Sequence, residues 1–209
     1  MFTYVVGVSL LRSYIMSGKL SQGVGEKIVT GELSNIIVRP LNFFKYILSL
    51  DIGNTLMNLL FSIIEISIFL WLFKSPLFIQ TNYFFLFATL IFFILGFIIY
   101  FLIGTSLSLS AFWIEQDWWA PIFLLGTIIE FASGGIFPID ILPKAVSAVI
   151  FATPFPYILY IPVKVYLGQV SINNIFLGVV ISIMWILALS LIYKIVWKKG
   201  LRIYEAYGK

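Results

Sequence analysis

The 209-residue sequence contains no cysteine and no histidine. Their absence removes the usual zinc ligands, the Ser/His triad, the Cys/His pair and any disulfide, so neither a metal site nor a catalytic residue is expected. Charge is scarce as well: 11% of residues are charged against 61% hydrophobic, and mean hydropathy is +1.07. An ordinary soluble domain carries roughly 25% charged residues. The shortage excludes a water-soluble fold, and no stretch is polar enough to form a separate domain. The chain reads as one all-α integral membrane domain, residues 1–209, with room for about five transmembrane helices. A phosphate loop is missing too. Gly23, Gly25 and Lys27 have a glycine-lysine flavour, but Glu26 stands where backbone amides should meet phosphate and the required spacing is not there, so the chain has no ATP site of its own. No positive charge precedes the first apolar run, which therefore reads as a short span and not as a cleavable signal.

What the sequence has in concentration is proline, in one place. Five of the eight prolines, Pro138, Pro143, Pro154, Pro156 and Pro162, fall between Gly134 and Gly168. Each removes a backbone donor and clashes with the preceding turn, so no run here reaches the roughly 20 residues of a membrane-crossing helix. This oily but broken stretch predicts a re-entrant helical hairpin over 134–170, two short helices that dip in and return. Irregular backbone at membrane depth survives only when protein or a water-filled cavity shelters it, so surrounding helices are implied. Gly134, Gly135, Phe137, the five prolines and Gly168 are its candidate gate residues.

In chain order, the first apolar segment, Phe2 to Met16, is about 22 Å of helix, short for a core of roughly 30 Å, with Arg12 near its end. Residues 17–50 form the longest polar passage, predicted to lie on the surface as a helix, a bend and an amphipathic helix opened by Pro40. The second span is expected at Ile52 to Phe73, capped by Asp51. The third runs from Tyr83 to Gly104 and continues through Ala111. The fourth, capped by Asp117, ends near Ile136, and the last runs from Ile172, after the cap Ser171, to Val196. Trp118, Trp119, Tyr157, Tyr160 and Tyr166 read as interface anchors. Nine bases (Lys19, Lys27, Arg39, Lys45, Lys194, Lys198, Lys199, Arg202, Lys209) fall on one side and Lys74, Lys144 and Lys164 on the other. The basic face is cytoplasmic by the positive-inside rule, which puts the C-terminus inside and the hairpin outside. Membrane orientation accounts for the basic balance, and no nucleic-acid partner is expected.

Glu65 and Glu130 interrupt the spans. A charged group at a helix centre costs roughly 2.5–3.5 kcal/mol on insertion scales, so each carboxylate needs a proton, water or a partner. Counting residues inward puts both at similar depth in the outer half, with Lys164 as the base able to reach them and Arg12 too near the inner face. They read as a structural pair locking the hairpin, or as groups along a substrate route.

Two motifs converge at this point. The passage IVTGELSNIIVRPL (Ile28 to Leu41) and the stretch SGGIFPIDILP (Ser133 to Pro143), followed by TPFPYILYIPVKVYLG (Thr153 to Gly168) and the tail WKKGLRIYEAYG (Trp197 to Gly208), resemble the ABC-2 family of transporter permeases. The resemblance is nearest to its antibiotic-export and uncharacterised branch. It implies a prokaryotic multi-pass protein of the cell membrane, the permease subunit of an ATP-driven exporter. A coupling helix would dock on a separate ATPase that binds ATP and Mg, with a second permease copy or a sister permease beside it. The coupling segment falls on Glu26, Gly31, Glu32, Leu33, Arg39 and Pro40, and the outer re-entrant helices on the proline-rich hairpin. The family pattern has six spans; here the first span and the interfacial helix before it are missing from the match. Two other readings stand beside this one: a secondary transporter or channel subunit using the intramembrane carboxylates, and a membrane scaffold with no transport of its own.

Overall fold

The computed structural model describes residues 2–15, 20–73 and 78–206. Every regular element among them is helical: α1 (Phe2–Ile15), α2 (Leu20–Val29), α3 (Leu33–Ile37), α4 (Phe43–Phe73), α5 (Tyr83–Ser108), α6 (Ala120–Ala132), α7 (Lys144–Phe151), α8 (Tyr160–Tyr166) and α9 (Ile172–Ala206), with short 3-10 turns at Leu109–Phe112, Ile139–Ile141 and Phe155–Tyr157. Three are long and apolar enough to cross a membrane, over Phe43–Leu72, Tyr83–Phe112 and Ile172–Tyr204. The other two expected spans are shorter, 14 residues in α1 and 13 in α6.

Helix starts follow local chemistry. The Asn82 side chain accepts from the Phe84 amide at 2.9 Å and opens α5, and the Ser171 hydroxyl accepts from the Asn174 amide at 3.4 Å at the head of α9. Asn42 plays the same part for α4, accepting from the Lys45 amide at 3.2 Å. This corrects the expectation that Asp51 caps the second span. The surface helix and the span are one continuous α4, because no proline or glycine turn separates them, and Asp51 lies buried inside it. Likewise α6 starts at Ala120, not at Asp117, whose carbonyl accepts from the Ala120 amide at 3.0 Å.

Helix α5 is the centre of the molecule. Phe92, Ile99 and Leu102 are fully enclosed; Thr105 donates to the Phe101 carbonyl at 2.6 Å and Ser108 to the Gly104 carbonyl at 2.8 Å, while the buried Ser106 hydroxyl has no hydrogen-bond partner among the described residues. At Gly96 a Cβ would stand 3.1 Å from the carbonyl oxygens of Tyr157 and Ile158, so the returning half of the hairpin lies backbone against helix. Only a residue without a side chain allows that approach. Helix α9 packs along α5, and α4 turns the stripe Ile47, Asp51, Thr55 and Ser62 toward its neighbours while most of its surface stays open.

The bundle has two distinct ends. At one, the Phe78 amide donates to Thr3 Oγ1 at 3.1 Å and Gln80 donates to the Tyr166 carbonyl at 2.8 Å, beside the hairpin. At the other, Ser34 and Tyr204 share a hydrogen bond of 2.8 Å, joining α3 to the last turn of α9. Lys19, Lys74 and Lys209, used in counting bases by side, lie outside the described residues.

Candidate functional site

Two regions, one at each end, hold the residues singled out from sequence other than Glu65. At the tail end, α2 and α3 form a bracket. Val24, Ile28 and Leu33 are buried, and Gly25 leaves room for the Trp118 ring, which a Cβ there would meet at 2.3 Å. Gly31 turns the chain with φ of 80°, a left-handed conformation that favours glycine. Its carbonyl accepts from the Tyr204 hydroxyl at 3.2 Å. The bracket is thus held from behind while its outer side is open. Glu26, Glu32, Arg39 and Pro40 are exposed, and Val38 is 86% exposed, an apolar side chain left in the open. Lys27 and Glu32 pair at 3.3 Å across the turn. Leu33 differs from the other residues expected in docking: it is the fully buried anchor of the bracket and cannot touch a partner.

At the opposite end the proline-rich stretch is a broken hairpin, as its sequence implies. Pro143 precedes α7, Pro154 and Pro156 flank and enter a 3-10 turn, and Pro162 sits in the first turn of α8, where its missing amide costs no helical bond. Gly134 and Gly168 take positive φ, 78° and 68°, at the entry and the exit. Gly135 follows on, its amide bonded to the Glu130 carbonyl at 3.1 Å, and Phe137 stands edge-on to Phe131 at 5.9 Å. The two arms differ sharply. No residue of α7 is buried, whereas Tyr160, Pro162, Val163 and Val165 of α8 are.

A set of polar contacts seats this hairpin. The Tyr4 hydroxyl donates to the Gly134 carbonyl at 3.0 Å. Lys164 pairs with Asp140 at 2.5 Å and donates to Gln169 Oε1 at 2.8 Å, and the Tyr160 hydroxyl donates to Asp140 from the other side. Burial pushes the Asp140 carboxyl up, but the hydrogen bonds from Lys164 and Tyr160 and the Lys164 charge outweigh it and hold the group below the usual carboxylate range. Burial and the same carboxylate push the Tyr160 hydroxyl well up, so it stays a donor. A cleft of about 450 Å³ opens between α1 and the hairpin, with Arg12, Asp140 and Lys164 on its walls.

The structure corrects the expected partner of the intramembrane acids. Glu130 is bound by Arg12, not by Lys164, whose charge is taken by Asp140. Depth was counted from a fourth span ending near Ile136, but α6 ends at Ala132 after 13 residues, and Arg12 in the last turn of α1 meets Glu130 in the last turn of α6. Glu65 is exposed on α4 and belongs to neither pair. Tyr157 and Tyr160 are buried packing residues and not interface anchors. The sequence reading missed Tyr4, Asp140, Gln169 and Tyr204. Asp140 carried a usable signal, since it is the one acid in the hairpin that carries Lys164.

A family model described as ABC-2 family transporter protein matches residues 1–208. No curated protein and no solved structure matches the chain.

Proposed function

Since the chain belongs to the ABC-2 transporter family and is a membrane component of an ABC-type transporter, we propose that it is the permease subunit of an ATP-driven exporter, worked by a separate ATPase at its basic end. The observation that carries this reading is the bracket of α2 and α3, anchored by Leu33 and Tyr204 yet presenting Glu26, Glu32, Val38, Arg39 and Pro40 outward. Buried supports under an exposed mixed surface suit a part that receives force from a partner. ATP and Mg bind the ATPase, whose closure pushes on the bracket. The bundle carries that push to the hairpin, which gates the far side. A second permease, identical or a sister, completes the pathway.

Orientation follows from charge. Lys27, Arg39, Lys45, Lys194, Lys198, Lys199 and Arg202 cluster toward the bracket and the tail, while the hairpin carries Lys144 and Lys164. The bracket and the C-terminal helix end therefore face the cytoplasm of a prokaryotic cell and the hairpin faces out.

The test is ATP hydrolysis by the co-expressed ATPase, with the permease intact or carrying Glu32→Ala and Arg39→Ala. Loss of permease-dependent stimulation supports coupling at this surface. Unchanged coupling and unchanged co-purification count against it. The cysteine-free chain allows a second check: Lys144→Cys should react with an impermeant maleimide from outside the cell and Lys199→Cys should not.

A further inference from the structure

A cavity of about 580 Å³ opens where α4 begins beside the last turns of α9. Its walls are aromatic. Phe43 stacks on Trp197 with ring centres 4.5 Å apart, and Phe44 stands edge-on to Tyr193 at 5.1 Å. Two bases line it, Lys45 and Lys194, and among the described residues no carboxylate does. Both are exposed, and neither side-chain ammonium has a hydrogen bond or ion pair among the described residues. On α9, Lys194 continues a stripe made deeper in the helix by Leu187 and Leu191, about 60% exposed each, at the spacing of one helical face. The site thus offers unneutralised positive charge at the membrane edge, an aromatic shelf of the kind that sits at headgroup level, and an open apolar track running toward the bilayer centre.

We propose that this cavity binds the headgroup of an anionic phospholipid from the adjoining leaflet, its phosphate between Lys45 and Lys194 and an acyl chain along Leu191 and Leu187. The pair of uncompensated charges selects a headgroup with net negative charge over a zwitterionic one, whose ammonium would meet Lys45 or Lys194 with no acid to receive it. Ile37 and Leu41 border the same cavity, so the lipid also touches the loop leading from the bracket into α4. This site stands apart from the proposed transport function and needs no ATPase.

The experiment is native mass spectrometry of the detergent-purified chain titrated with phosphatidylglycerol, phosphatidylcholine or glycerol 3-phosphate. Phosphatidylglycerol should bind more tightly than phosphatidylcholine by about tenfold or more, since each lysine near an anionic group is worth about fivefold. Lys45→Gln with Lys194→Gln should erase that preference, and Lys45→Arg with Lys194→Arg should keep it. Equal binding of the two lipids by the unmodified chain overturns the proposal, and needs no variant to fold. A preference unchanged in the double glutamine variant overturns it as well, as does glycerol 3-phosphate displacing the lipid at equal concentration, which would mark a free-anion site.

Discussion

Helices α4 and α5 are both long and apolar enough to cross a membrane, yet half of the α5 span is buried and α4 is largely open. Leu56, Leu60, Phe61, Ile64 and Trp71 of α4 stand exposed, whereas Phe92, Ile99 and Leu102 of α5 are sealed. Lipid is as apolar as a protein interior, so hydrophobicity cannot tell a membrane helix which neighbour to choose. Close approach can. Gly96 of α5 meets two backbone carbonyls, while a Cβ at Gly53 of α4 would meet nothing within 4 Å. Position in this bundle is decided by small residues and by a few polar ties.

The largest expected effect is at that contrast. Gly96→Leu drives a side chain into the backbone at Tyr157 and Ile158 and should cost about 3 kcal/mol or prevent folding, read as thermal unfolding in detergent. The same substitution at Gly53 should be tolerated. Next comes the tie between α1 and α6: Arg12→Ala should destabilise by about 1 kcal/mol, the pair being partly exposed. A double-mutant cycle with Glu130→Gln should show that this energy is shared, while a cycle of Glu130→Gln with Lys164→Ala should be additive. Gly53→Ala should raise stability by up to about 1 kcal/mol through helix propensity alone. Glu65→Gln, on the open face of α4, should change the stability of the single chain by less than about 0.5 kcal/mol; a larger loss would mean that α4 is covered.

The smallest effect concerns the hairpin that rests on α5. Asp140 has a lowered pKa in the folded chain, so its contribution is present above the ordinary carboxylate range and fades as pH falls through the folded value. Melting curves taken from neutral to below about pH 3.8 should fall more steeply for the unmodified chain than for Asp140→Asn.

Much of this arrangement was readable from residue types alone. Prolines cannot continue a helix and glycines mark where one turns, so Pro143, Pro154, Gly134 and Gly168 announced the hairpin in the language of local backbone chemistry. Ser171 and the run from Tyr83 were legible for the same reason. What stayed hidden was long-range. Whether Asp51 starts a helix or sits inside one depends on what packs around it, and whether Glu130 finds Arg12 or Lys164 depends on how far a 14-residue helix reaches into the bundle. The role of Leu33 was hidden too, since an apolar residue in a docking segment can face either way.

Helix α9 runs 35 residues without a proline, from the exit of the hairpin to the hydroxyl of Tyr204 that grips Gly31 and Ser34. Such a rod, about 52 Å long, has no joint along its length. Under the proposed coupling, a displacement delivered at the bracket would reach the exit of the hairpin as a movement of the same stiff beam. Removing one phenol oxygen, by Tyr204→Phe, would unhook the beam from its handle while leaving both pieces intact.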